Sequence, residues 1–341
     1  MFIFDFSESI RHHRRDFAAC WIDARGDKRM RNAFPKGKTH AVDRWAQRFL
    51  QNDPPRAKSV IVTIFGDSIA PHGSVVWLGG LIELLAPFGV NDRLVRTSVF
   101  RLVREGWLDA VRHGRRSKYQ LSAWGSRRFE LAHQKIYALP RPDWDGRWTV
   151  AIAPQSTMTA AHRATLQKEL IWEGFAMISP GVFWRPSTDT DALEEILHRF
   201  DGQAFVCYAQ DQELLPSRPL RDLASLGWQL GPVIKSYRNF IRMFGDLPNI
   251  LSSDGIASEQ FFVVRTLLIH AFRRVTLHDP LLPAELLPKD WPGAEAYDLC
   301  QQIYRLTYRG AEQHLLATIR KEDPGAPEAA EYFYQRFRGL S

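Results

Sequence analysis

The stretch NDRLVRTSVFRLVR (91–104), followed by EGWLDAVRHGRRSKYQLS (105–122), decides how the first half of this chain folds. Asn91 is a good helix N-cap, and Asp92 begins a first turn that favours acidic residues. Val95, Val99 and Leu102 recur at i, i+4 and i+7, the spacing of a face turned to a core. The other side carries Arg93, Arg96, Thr97, Arg101 and Arg104, a stripe of guanidinium groups along one helix. Two alternating runs then flank the basic turn His113-Gly114-Arg115-Arg116, which reads as a β-hairpin. Just upstream, Trp77, Leu78, Leu81, Ile82, Leu84 and Leu85 fall on one broad helical face closed by Pro87 and Gly89. Helix, helix and a hairpin with arginine at its tip is the order of a winged helix-turn-helix. The second helix is expected in the major groove, where arginine pairs with guanine. The base contacts expected there are Arg93, Arg96, Thr97 and Arg101, with Arg104 on the same DNA-binding face and Arg115, Arg116 and Lys118 of the hairpin on phosphates.

The charge distribution agrees with that reading. The 341 residues carry a net charge of +7, but residues 1–55 hold +4, residues 56–140 hold +7 and residues 141–341 hold −4. A basic front and an acidic remainder suggest a polyanion-binding module followed by domains with another task. With 45% hydrophobic and 24% charged residues, the composition is that of a globular protein, neither disordered nor membrane-embedded. The longest stretches free of Asp, Glu, Lys and Arg, residues 68–82 and 148–162, are too short to span a bilayer. No apolar leader precedes a cleavage site, and Cys20, Cys207 and Cys300 form neither a disulfide framework nor a zinc spacing. A cytoplasmic location without membrane contact is expected.

Outward from the opening stretch, residues 1–55 mix charge clusters with isolated aromatics and read as a weakly ordered basic arm ending at Asp53-Pro54-Pro55. Short helices near Ile10–Trp21 and His40–Gln51 are compatible with it. The run Val60–Phe65 is too short and too uniformly apolar for periodicity to tell strand from buried helix. The winged-helix domain is expected over 56–140, with a further helix near Gly125–Tyr137 and a linker around Pro140, Pro142 and Asp145-Gly146. A second domain over 144–212 runs strand (148–152), helix (159–173), two strands joined by Pro180-Gly181, helix (191–200) and strand (203–209). That is the split βαβ order of a ferredoxin-like domain. Residues 213–341 read as helical: 220–230, 232–244, 258–277, 294–318 and 328–338. The segment 261–277 is apolar nearly all round except for Thr266, His270, Arg273 and Arg274. That stripe is either paired internally with carboxylates such as Asp279, Glu285 or Asp290, or it lines a ligand pocket. The fold class expected is thus α+β in several domains.

Enzymatic signals are weak. There is no Gly-x-Ser-x-Gly elbow, no Gly-x-Gly-x-x-Gly, no P-loop and no activated cysteine context. His12-His13 has no acidic or cysteine partner nearby, so neither a catalytic nor a metal site is assigned. A metal-dependent nuclease on the ferredoxin-like domain lacks an acidic residue at the end of its first strand, which closes Ile152-Ala153-Pro154. An RNA-binding module lacks an evident aromatic platform on its strands. These two remain as rival readings.

Several strings are similar, in order, to the PaaX family of bacterial repressors of phenylacetic acid degradation. They are GDSIAPHG (66–73), VWLGGLIELL (76–85), DRLVRTSVFRL (92–102), EGWL (105–108), GRRSKYQLS (114–122), KIY (135–137) and WDGRW (144–148). LIWEGF (170–175), LLIHAFRRVTLHDPLLPAELLPKDWPG (267–293), IY (303–304) and YFYQRF (332–337) continue the series. The resemblance covers residues 57–341 and leaves 1–55 without a counterpart. It implies a winged-helix domain, a central ferredoxin-like domain similar to CRISPR-associated integration nucleases, and a helical C-terminal domain for effector binding and dimerisation. It also implies a non-enzymatic homodimer without a cofactor. Such a dimer binds a double-stranded promoter operator and is released by an aryl-CoA thioester, typically phenylacetyl-CoA. A CoA pocket needs cations beside apolar walls, and His270, Arg273, Arg274 and Trp291 lie within a matching string.

Overall fold

The computed structural model describes residues 41–138, 144–154, 158–186, 204–210 and 227–340. It is a mixed helix and sheet protein with two small antiparallel sheets. The chain divides into two compact units. One joins the described residues up to Ala138 with Asn239–Leu277 and those from Glu295 onward; the other joins Trp144–Arg238 with His278–Ala294. Among the described residues no helix is long and apolar enough to cross a membrane.

The first unit opens with α1 (Ala41–Asn52), whose Val42, Trp45, Ala46, Phe49 and Leu50 form one buried stripe. Trp45 and Phe49 pack on Phe244 with ring centroids 5.3 and 5.6 Å away, and Trp45 Nε1 donates to the Met243 carbonyl at 3.1 Å. The last part of the stretch read as a weakly ordered arm is therefore a docked helix. Its apolar stripe is barely three turns long, and the surface that covers it lies some 200 residues away along the chain. Next, α2 (Ala57–Ile64) settles the ambiguous apolar run as helix, with Val60, Ile61, Val62 and Ile64 all buried. Burial on every side erased the periodicity that would have marked it. A π-helical turn over Phe65–Ile69 continues it.

Then follow β1 (Val75–Trp77), α3 (Leu78–Leu85), α4 (Asp92–Arg104), β2 (Leu108–His113), β3 (Arg116–Leu121) and α5 (Ala123–Tyr137). The strands form one antiparallel sheet in the order β1-β3-β2. In the second unit, β4 (Arg147–Ile152), α6 (Ala160–Trp172), β5 (Ala176–Ser179), β6 (Val182–Pro186) and β7 (Phe205–Gln210) build a sheet ordered β5-β6-β4-β7, antiparallel throughout. Leu166 and Leu170 of α6 close one face over Ala151 and Phe183. On the other face Trp148 stacks on Trp184 at 4.2 Å, and Leu282, Leu286 and Leu287 cover them. The helix read at 191–200 and the one at 220–230 lie outside the described residues, apart from the end of the latter.

The remaining helices are α7 (Leu230–Phe244), α8 (Leu247–Leu251), α9 (Ser258–Thr276), α10 (Gly293–Ile319) and α11 (Glu331–Tyr334). As its composition implied, α9 is buried on nearly every side; it packs against α1, α2 and α5. The helix expected over 328–338 is only one turn, α11, followed by a 3-10 turn. Phe337 adopts φ 52° there, and both Arg336 and Phe337 turn into the core. Burying the aromatic ring and satisfying the guanidinium outweigh continued helix. Arg336 donates to the Asp67 carbonyl at 2.8 Å and to the Tyr304 hydroxyl at 2.7 Å. Tyr137 and Tyr304 both donate to Asp67 Oδ1, and Arg265 lies between Asp67 and Glu312 at 3.1 and 2.6 Å. His72 bridges Glu312 and the Pro327 carbonyl. This buried ionic cluster holds the π-helical turn to α5, α9, α10 and the C-terminal turn.

Candidate nucleic-acid interface

The interface is built on α4. Asn91 caps it, accepting from Leu94 N–H at 2.9 Å. Gly89 reverses the chain ahead of it at φ 73°, after Phe88 has buried itself against Phe262. Val95, Ser98, Val99 and Leu102 face inward. Arg93, Arg96, Thr97, Phe100, Arg101 and Arg104 all face solvent. The expected arginine stripe therefore lies on one open face. Arg96 is oriented by Asp92 one turn back, Nε to Oδ1 at 2.6 Å and Nη2 to Oδ2 at 3.3 Å. That pairing uses the Nε/Nη2 side edge of the guanidinium and leaves Nη1 outside it, on a side chain that is more than half exposed. The Thr97 hydroxyl donates to the Arg93 carbonyl at 2.8 Å.

The hairpin β2–β3 pairs Leu108 with Leu121 through His113 with Arg116. Gly114 takes φ 61° at its tip, where a side chain would be strained, and Arg115 stands beside it exposed. Arg116 lies over the Trp77 ring at 4.2 Å and pairs with Glu322 at 3.3 Å. Lys118 is half-buried, opposite both Val111 and Trp77. The three expected hairpin contacts are thus unequal: Arg115 is open, Arg116 is already shared with a carboxylate, and Lys118 is partly covered.

Glu322 was not anticipated from the sequence. It follows the end of α10, accepts from Gly80 N–H at 2.9 Å and lies so close to Gly79 that a Cβ there would meet its Oε1 at 2.6 Å. Its neighbour Lys321 pairs with Glu83 of α3. One acidic residue thereby touches both the start of α3 and the β2–β3 hairpin. Nothing in the local sequence signals this, since its partners are about 200 to 240 residues away. Phe100 was also missed, although it shares the Arg93 stripe at i+7; a search for charge alone passes over it.

The residues expected to meet an effector sit differently. His270 is fully buried, its Nδ1 3.1 Å from the Thr63 hydroxyl, and burial followed by the charges of Arg273 and Arg274 holds it well below the ordinary histidine range. Arg273 is buried as well and donates to the Thr63 hydroxyl, the Ser59 hydroxyl and the Ser59 carbonyl at 2.6 to 2.9 Å. Arg274 pairs with Asp53 at 2.7 Å. These partners come from α2 and from Asp53, just beyond α1. Asp279 accepts from Tyr237, and Asp290 from Arg238. Trp291, in the second unit, packs edge-on to Tyr237 at 5.7 Å.

Comparison with known proteins places these elements in a family. Residues 56–125 match the PaaX-like protein family, 141–221 the PaaX protein central Cas2-like domain and 228–317 the PaaX-like protein C-terminal domain. Over 307 residues the chain is 36% identical to the transcriptional repressor PaaX of Escherichia coli (strain K12), which covers 88% of this chain and 96% of that protein. The chain belongs to the PaaX family. The first PaaX match spans α2 through the start of α5 and so contains both α4 and the hairpin. The central PaaX match contains the whole four-stranded sheet. The solved structure of the uncharacterized protein Rv0674 from Mycobacterium tuberculosis is 25% identical, covers 74% of this chain and 98% of that one, and superposes with a TM-score of 0.48.

Proposed function

We propose that this protein is a non-enzymatic, DNA-binding transcriptional repressor of aromatic catabolic genes of the phenylacetate type, working in the cytoplasm as a homodimer. The observation that carries the reading is the open cationic face of α4 set beside a basic hairpin tip, in a chain related over nearly its whole length to a protein named a transcriptional repressor. The order α3, α4, hairpin, with β1 completing a three-stranded sheet, supports a winged helix-turn-helix. Counting within the second unit, the strand order 4-1-3-2 and the Cas2-like match support a ferredoxin-like domain.

Repression works by occlusion. Two α4 helices and two wings occupy two operator half-sites, and an aryl-CoA thioester such as phenylacetyl-CoA favours a dimer geometry whose spacing no longer fits. As effector contacts, His270 and Arg273 act only if α9 parts from α2, whereas Arg274 and Trp291 are already part-exposed. Titrating the protein against labelled DNA from the promoter beside its own gene, followed by a panel of CoA thioesters, tests the whole reading. The expected result is salt-sensitive, promoter-selective binding reversed by an aryl-CoA. Equal affinity for unrelated DNA of the same length, or DNA cleavage with divalent metal, overturns it.

A further inference from the structure

We propose that Phe100 reads sequence, by packing its ring on the 5-methyl group of a thymine in each half-site. The inference rests on the reading of α4 as the major-groove helix and adds to it a base class that arginines do not select. Phe100 is 62% exposed, while Val95, Val99 and Leu102 of the same helix are at most 1% exposed. At about 100° per residue, Phe100 lies within roughly 20 to 40° of Arg93 and Arg104 around the helix and diametrically opposite the buried side. It therefore occupies the centre of the cationic face rather than its margin. Arg96 and Arg104 are one turn away on either side, so any surface that meets Phe100 also meets two guanidinium groups.

That combination narrows the occupant. A protein partner apolar enough to cover Phe100 would have to desolvate or pair the surrounding arginines, four of which stand on this one face with Asp92 as the acidic residue among them. Duplex DNA offers both requirements at once: phosphates and guanine edges for the cations, and the thymine methyl as the apolar group in the major groove. Alanine, threonine methyl and phenylalanine are the side chains that suit that methyl. Thr97, one turn from Phe100, is exposed on the same face, with its hydroxyl bonded back to the Arg93 carbonyl.

Removing the methyl from the DNA tests this without touching the protein. Operator duplexes carrying deoxyuridine for thymine, one position at a time, are titrated with the wild-type protein and with Phe100→Ala. One thymine per half-site should weaken wild-type binding about fourfold when replaced, the loss expected for one buried methyl. Phe100→Ala should bind the thymine operator more weakly and show no difference between the two bases at that position, with Phe100→Leu retaining part of it. Uridine sensitivity that persists unchanged in Phe100→Ala overturns the proposal, as does its absence at every position. So does a loss of the dimer in sedimentation of Phe100→Ala. In each of these cases salt-dependent operator binding by the wild type leaves the repressor reading standing; failure of that binding would instead remove the reading itself.

Discussion

Arg96 illustrates how a single side chain on the proposed interface is oriented by its neighbour. Asp92 holds it through its Nε edge, in an exposed pair of little worth for stability but useful for direction. If the Nη1/Nη2 edge meets guanine O6 and N7, Arg96→Ala should lose about 1 to 3 kcal/mol of discrimination at one base pair and blur preference there. Selection of binding sites from a randomised operator pool checks this; an unchanged preference at every position counts against the contact. At this scale the sequence was informative about charge, because exposed arginines at helical spacing need no tertiary information to be placed together. It was uninformative about Phe100, since an apolar residue reads as core until the opposite face is known to be filled.

At the scale of elements, the hairpin and the end of α10 share Arg116. Glu322 would compete with a phosphate for that guanidinium, so any contribution of the hairpin to the proposed DNA binding depends on where α10 ends. Arg116→Ala should reduce the slope of log affinity against log salt by about one if a phosphate is contacted. Glu322→Gln should tighten binding similarly on all sequences by releasing Arg116, measured by the same titration. Weaker binding by Glu322→Gln would mean that the carboxylate positions the hairpin instead. The hairpin was legible from its alternation and its glycine turn, and α4 from its stripe. The docking of α1, whose helix the sequence allowed near His40–Gln51, and the shortening of α11 were not, because each depends on a distant surface: Phe244 covers the one, and Asp67 draws in the arginine next to the other.

For the molecule as a whole, the first unit is closed by ionic groups rather than by apolar packing alone. Asp67 accepts from two tyrosines and meets two buried arginines, so Asp67→Asn leaves uncompensated charge inside. It should cost about 3 to 5 kcal/mol in urea unfolding. Acid should loosen the same core. Burial first, and then the Arg336 charge, lower His133 to about 4, against an opposing effect of Asp67. Arg336 also donates to His133 Nε2 at 3.4 Å, which needs a neutral ring. A histidine whose folded value lies below its unfolded one of about 6.5 contributes stability that is complete above that pH and lost as pH falls towards 4. Burial pushes Glu312 up, but Arg265 and His72 outweigh it and keep it below the ordinary glutamate value. Its contribution is present above about 4.3 and lost below that. Urea midpoints should therefore fall between pH 6.5 and 4, and His133→Gln should flatten part of that decline. An identical slope in the variant would remove His133 from the account.

The amino-acid order by itself determined what depends on near neighbours: helix α4 with its cap, the cationic face, the hairpin turn, the four strands of the central domain with the helix after the first, and the uneven charge. Those follow from periodicity and turn chemistry within some twenty residues. Only the tertiary structure decided whether the polar stripe on α9 meets other protein groups, and which ones. It also decided that residues 41–52 are packed, and that an acid beyond α10 pairs with the hairpin's Arg116. Each of these is a pairing of burial and charge between segments about 200 to 240 residues apart. The free energy of such pairings lies in desolvation, which no local pattern records.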